Sequence, residues 1–304
     1  MSALVITPTF RGVVAASLTP FAGDGRLDLA AVPPLVDFLL DGGVAGLMVG
    51  GSTGEFIAMS SDERIATITA FVAAAESRVP VIAHIAHANV AEAQALAHRA
   101  AGAGANALTA LVPYYHRTSQ GAIQKTLREL AQAVPELPFF AYNYPDAAGN
   151  ALAFSTFTDL LDEPNLAGVK LSVGTVAEIE PYAAVLDRVS VLSGNDTLMP
   201  EVVGLGGTAV VSGNAAAFPD VVTAVLRGLL DGDEETATAA PQLLSSLATL
   251  SQAGAPDRLR ALLARRGIDT GRSRIRTYLP QEVDGAEEER LLGEVLSAAR
   301  RATA

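Results

Sequence analysis

Eight short apolar runs, set between longer stretches of helical periodicity, constrain this chain more than any other feature. They are Gly12–Leu18, Ala45–Val49, Val81–Ile85, Ala107–Val112, Phe139–Tyr142, Ala167–Leu171, Ser190–Leu192 and Thr208–Val211, most of them separated by about 20–35 residues. Each is nearly continuously apolar, as a parallel strand covered on both faces must be. Helix signals fill the gaps. Asp28–Leu40 is apolar-periodic and stops at Gly42-Gly43. Ser60-Ser61-Asp62-Glu63 is a capping box, Asn89-Val90-Ala91-Glu92 resembles one, and Thr175-Val176-Ala177-Glu178 opens another helix. Ser155 is a candidate cap for Thr156–Leu161, and Asp196 for a short helix before Gly204. Eight strand–helix units over about 220 residues predict an α/β chain folded as a (β/α)8 TIM barrel. The competing fold, a doubly wound open sheet, needs a glycine-rich turn after its first strand, where this chain has Leu18-Thr19-Pro20-Phe21.

After about residue 218 the strand signals stop. Pro219–Leu230, Asp233–Gln252, Pro256–Arg266 and Ala286–Ala302 read as helices, and only the first is needed to close a barrel. The expected division is a catalytic barrel over residues 1–220 and a C-terminal helical segment over 221–304. Arg258, Arg260, Arg265 and Arg266 read as a solvated helix face. A net charge of −12 argues against nucleic acid and anionic membrane surfaces as partners. The absence of cysteine excludes disulfides and thiol catalysis. Met1–Gly12 lacks the basic and apolar regions of a signal peptide, and no run of 18 or more apolar residues occurs. The expectation is a soluble, cytoplasmic protein.

In such a barrel the chemistry sits at the C-terminal ends of the strands. One residue there stands apart. The chain has only two lysines, Lys125 and Lys170, against nineteen arginines, and Lys170 falls inside the apolar run Leu166-Ala167-Gly168-Val169-Lys170-Leu171. A desolvated lysine can shed its proton and attack a carbonyl, which arginine cannot do. The bland alternative is a lysine at a strand end that snorkels to solvent. Gly50-Gly51-Ser52-Thr53-Gly54-Glu55 follows the second run and sets two hydroxyls among glycines. That arrangement suits a carboxylate, or a plain strand-to-helix turn; a phosphate loop would need a lysine that is absent. Tyr142 ends the run one barrel position before Lys170 and can move a proton between an amine and a substrate oxygen, or can simply pack. The four histidines form no metal set or nucleophile triad, and His84 and His87, three apart, would point to opposite faces of a strand.

Three of these stretches together resemble the dihydrodipicolinate synthase / N-acetylneuraminate lyase family of pyruvate-dependent class I aldolases and dehydratases. Gly51-Ser52-Thr53-Gly54-Glu55 is similar to its G-[ST]-T-G-E motif, Tyr142-Asn143-Tyr144-Pro145 to Y-N-x-P, and Gly168-Val169-Lys170 to G-[IV]-K. Pro113-Tyr114-Tyr115 and Gly206–Ser212 match two further stretches, in the family's order and spacing. The resemblance implies a barrel with a helical C-terminal segment, assembled as a homotetramer. It implies that Lys170 forms a Schiff base with a small-molecule 2-oxo acid, with no other cofactor and no metal. Tyr142 would be the acid/base, linked to the Thr53 hydroxyl. Tyr115 would reach into the neighbouring subunit's site to complete the relay. Ser52 and Thr53 would hold the substrate carboxylate, the Val211 carbonyl would face the Schiff base, and Glu55 would support the loop.

One departure bears on specificity. The synthases carry an arginine two residues after Y-N-x-P, which binds the second substrate's carboxylate; Ala147 stands there in this chain. Ser61 and Arg64 likewise replace two histidines of the synthases' lysine-feedback site. Tyr144 is similar to branches acting on 2-keto-3-deoxy sugar acids, and Asn195, Asp196 and Asn214 are candidate partners for sugar hydroxyls, or else loop caps. The sequence reading is therefore a Schiff-base lyase of such acids or related 4-hydroxy-2-oxo acids. The alternatives are dihydrodipicolinate synthase, N-acetylneuraminate lyase, or a non-catalytic 2-oxo acid-binding regulator.

Overall fold

The computed structural model describes residues 10–275 and 284–302, so most of the Met1–Gly12 stretch lies outside the described residues. Eight strands close into a parallel barrel in sequence order. They are β1 Gly12–Ala16, β2 Gly46–Val49, β3 Val81–His84, β4 Ala107–Leu111, β5 Phe139–Asn143, β6 Leu166–Leu171, β7 Ser190–Ser193 and β8 Ala209–Ser212. Each lies on one of the expected runs, because strands buried on both faces leave an apolar signature. Val13, Val14, Leu47, Val169, Leu171 and Val210 are fully buried. Burying one such side chain contributes roughly 1.5–3 kcal/mol.

The helices are α1 Val32–Asp41, α2 Ser61–Ala75, α3 Val90–Gly102, α4 Gln120–Ala133, α5 Pro145–Ala148, α6 Phe154–Thr158, α7 Met199–Gly204, α8 Pro219–Asp231, α9 Glu234–Leu250, α10 Pro256–Arg265 and α11 Gly285–Ala302. Ser60 and Glu63 form the expected capping box on α2, and the Asn89 side chain caps α3. Helix α8 packs on β1 and closes the barrel, and α9 and α11 pack against α8. None of the described helices is long and apolar enough to cross a membrane.

Three local expectations are corrected. The Thr175 capping box forms, yet it opens only 3-10 turns, Val176–Glu178 and Glu180–Val185. Pro181 has no amide to donate to the preceding turn, and it stands at the start of the second of these turns, where the two are separated. Helix α6 begins at Phe154, before Ser155, with the Phe154 ring packed 5.0 Å from that of Tyr182. Asn195, rather than Asp196, caps the turn after β7, accepting from the Thr197 amide. The supposed solvated arginine face is also only partly so, with Arg265 exposed, Arg258 and Arg266 half-buried and Arg260 buried. Arg260 is 4% exposed and ion-paired, and Arg266 pairs with Asp220 while lying over Phe38 and Phe218.

The register of β5 on β6 matters most for the site. Phe139 pairs with Leu166 and Phe140 with Gly168, so Ala167 is a bulge, and beyond it Tyr142 pairs with Lys170. Partners in a parallel pair share a face, so both side chains enter the barrel mouth together. Gly168 is obligatory beside that bulge, because a Cβ there would stand 2.1 Å from the Ser190 carbonyl oxygen.

Candidate active site

A cavity of about 450 Å³ opens at the C-terminal mouth of the barrel. Six of the seven expected site residues line it: Ser52 and Thr53 after β2, Tyr142 on β5, Lys170 on β6, Asn195 after β7 and Val211 on β8. Tyr115 does not. It is 85% exposed, in a left-handed conformation at φ +76°, with its ring against His116.

Lys170 is 6% exposed. Its Nζ lies 4.1 Å from the Tyr142 ring centroid and 3.7 Å from the Met48 sulfur, and among the described residues no carboxylate is ion-paired with it. Gly194 is needed beside it, since a Cβ would stand 2.1 Å from Ser172 Oγ and 3.1 Å from Lys170 Cε.

Tyr142 is 1% exposed, and its ring stacks on that of Tyr144 at 6.2 Å. Burial, with Tyr142 and Asp146 nearby, raises the Tyr144 phenol above its ordinary value. The hydroxyl facing Tyr142 is that of Ser52, at 3.4 Å, and this corrects the expected Thr53 link. Adjacent side chains diverge in the tight turn. Thr53 Oγ1 points instead toward Gly213, 3.5 Å from where a Cβ on that glycine would stand.

Behind β7 and β8 lies a polar cluster. Asp196 is buried, and its Oδ2 accepts from Ser212 Oγ at 2.6 Å and Asn214 Nδ2 at 2.7 Å. Asp196 Oδ1 and Asn214 Oδ1 are buried without a partner. Burial raises the Asp196 carboxyl, opposed by those two hydrogen bonds and by the Lys170 charge. The Asn195 carboxamide is committed to its turn, donating to the Val173 carbonyl and accepting from Thr197. Asp196 and Asn214 thus line the cavity as a buried, hydrogen-bonded pair, and Asn195 acts chiefly as a cap.

The sequence reading passed over His84. Its ring is buried, Nδ1 donates to the Gly50 carbonyl at 2.9 Å, and Nε2 accepts from the Leu111 amide at 3.4 Å. Burial, then the charges of Arg64 and Lys170, hold its pKa well below the ordinary histidine value, so it serves as a neutral strut for the Gly50 turn. Asp146 and the α9–α10 turn, Gln252-Ala253-Gly254, were also missed as lining. Asp146 is adjacent to the Y-N-x-P motif and was open to detection there. The turn carries no sequence signal, because only the docking of α9 and α10 brings it over the barrel. Among the described residues no group of three or more histidine, aspartate or glutamate side chains could hold a metal.

The profile of the Dihydrodipicolinate synthetase family matches residues 9–292. This chain belongs to that family. A 4-hydroxy-tetrahydrodipicolinate synthase of Synechococcus sp. (strain CC9605) is 33% identical over 78% of this chain and 79% of its own length. The crystal structure of a dihydrodipicolinate synthase from Bacillus anthracis superposes with a TM-score of 0.85 at 27% identity, covering 95% of this chain and 98% of the other. A prophage protein of the dihydrodipicolinic acid synthase family from E. coli K12, solved in complex with pyruvate, gives a TM-score of 0.83 at 26% identity, over 95% and 99% of the two chains. The chain is thus an enzyme of the class I lyases, which work through a lysine Schiff base. The relatives' names favour the synthase alternative over the sugar-acid reading of the sequence.

Proposed function

We propose that Lys170 condenses with the C2 carbonyl of a 2-oxo acid and that the enzyme is a lyase of 2-keto-3-deoxy sugar acids or related 4-hydroxy-2-oxo acids. The observation that carries the first part is the buried Lys170 amine, ion-paired with no carboxylate among the described residues and in contact with the Tyr142 ring inside an open cavity. The amine adds to C2, and the Tyr142 phenol gives its proton to the departing C2 hydroxyl, so that water leaves and an iminium and a phenolate remain. The C4 hydroxyl then gives its proton to the Tyr142 oxygen as the C3–C4 bond breaks. The bonding pair passes through C3 and C2 to the iminium nitrogen, leaving an aldehyde and an enamine. Protonation at C3 and hydrolysis release pyruvate. If instead a C3 proton leaves and hydroxide departs from C4, the same iminium serves a dehydratase. Ser52 and Thr53 hold the carboxylate and the Val211 carbonyl faces the Schiff base.

The second part rests on the charges around the cavity. Among the described residues Lys170 is the one cationic side chain lining it, while Asp146 and Asp196 line it with carboxyl groups and Asn214 with a carboxamide. Ala147 is exposed and offers no donor. Such a lining suits a chain of hydroxyls and opposes a second carboxylate. The second reading, 4-hydroxy-tetrahydrodipicolinate synthase, is favoured by the names of relatives 30–36% identical to this chain. The deciding experiment compares kcat/KM for aspartate semialdehyde plus pyruvate with that for a panel of 2-keto-3-deoxy sugar acids. Greater synthase activity than any sugar-acid activity overturns the first reading in favour of the second.

The exposed Tyr115 fits a homotetramer in which it enters a neighbour's site. Mixed oligomers of Tyr115→Phe and Lys170→Arg subunits should then regain part of the activity each lacks alone; zero rescue removes that role.

A further inference from the structure

Glu55 ends the motif that supplies Ser52 and Thr53, and the reaction scheme leaves it without a task. It is wholly buried and holds a left-handed conformation at φ +60°. Such a conformation is uncommon outside glycine and needs surroundings that hold it in place. The surroundings here are unusual, because they come from the far end of the chain. Oε1 accepts from Arg260 Nη2 on α10 at 2.6 Å. Oε2 accepts from Ser273 Oγ at 2.7 Å, the Arg274 amide at 2.8 Å and the Ile275 amide at 2.9 Å. Arg260 also donates to the carbonyls of Thr19 and Thr270, and Thr19 Oγ1 donates to the Gly54 carbonyl at 2.8 Å. Arg274 ties the same strap to the Glu63 carboxylate and the Ala58 carbonyl, on the other side of the turn.

We propose that Glu55 is a positioning residue: clamped by Arg260 and by residues 273–275, it aims the Ser52–Thr53 turn at the substrate carboxylate. The segment after the barrel is then a working part of the site. Four donors on one carboxylate exceed what a surface turn needs, and the backbone directly before Glu55 is the part of the molecule that must be set to a fraction of an ångström. Small displacements of a binding group carry large losses in effective concentration. The inference rests on the assignment of that turn to the 2-oxo acid carboxylate.

The test is borohydride trapping of the full-length enzyme with pyruvate and with methyl pyruvate, whose carboxylate is masked as an ester. In Glu55→Gln the concentration needed to half-trap pyruvate should rise about tenfold or more, while that for methyl pyruvate stays within about twofold. Ser273→Ala removes one of the four donors without leaving a buried charge unpaired, so it supplies the same readout if Glu55→Gln does not fold; a smaller shift in the same direction is expected. Arg260→Lys, which keeps the charge, should retain more of the preference for pyruvate than Arg260→Met. A loss of equal size for both ketones, or none, overturns the positioning role and leaves the Schiff-base assignment standing. A parent enzyme that traps neither ketone overturns the Schiff-base assignment, and this inference with it.

Discussion

Lys170 and Tyr142 are register partners on adjacent strands, and the lysine Nζ lies 4.1 Å from the tyrosine ring centroid. Condensation needs a nucleophile and proton transfer needs a phenol. Their pairing across β5 and β6 sets both in one contact, with the Ser52 hydroxyl 3.4 Å from the phenol oxygen.

Lys170→Arg keeps the charge and cannot condense. Reduction with borohydride in the presence of pyruvate should label the parent once, at residue 170, and the variant not at all. A label at Lys125, which is exposed and pairs with Glu129, would refute the assignment.

Tyr142→Phe keeps the ring against Lys170 and removes the proton carrier. Turnover should fall by about 10²–10⁴, the usual cost of losing a general acid/base, with the protein still folded. Ser52→Ala should lower turnover more than a Thr53→Ser control, because Ser52 is the hydroxyl that faces the phenol. Turnover of Tyr142→Phe within about twofold of the parent would end the acid/base assignment.

Ala147→Arg places a cation at the exposed position beside the cavity mouth. A charge-assisted hydrogen bond contributes roughly 1.5–3 kcal/mol, so kcat/KM with aspartate semialdehyde should rise about 10- to 150-fold. Sugar-acid turnover should fall as the room closes. A variant with unchanged preference would mean that residue 147 does not face the second substrate.

The Arg274 clamp predicts a pH dependence. Arg274, with the Ser60 amide, holds the Glu63 carboxyl at about 2, below its ordinary 4.5. Because the folded value is the lower one, the stabilisation is complete above about pH 4.5 and is lost as pH falls toward 2. The pair is partly solvated, so its contribution is on the order of 1–3 kcal/mol. Glu63→Gln should lower Tm at pH 6, and the gap from the parent should narrow at pH 3.5 and further at pH 3. A gap independent of pH would show that the carboxylate charge contributes nothing.

How much was legible in the sequence follows from the range of each interaction. The strands, the α2 and α3 caps and the barrel class depend on neighbours within a few residues or on an apolar run, and the amino-acid order states these directly. Lys170 was conspicuous for the same reason, as an amine inside such a run. The sequence by itself determined the barrel, the family and the set of polar residues at its mouth. Only the tertiary structure decided which of them meet. The bulge at Ala167 sets Lys170 opposite Tyr142, and the turn at Gly50 sends Ser52, not Thr53, to the phenol. Arg260 was read as a solvated residue because helical spacing says nothing of what a helix docks on. Its partner Glu55 lies 205 residues away, and burying that ion pair is a consequence of packing α10 over the barrel mouth.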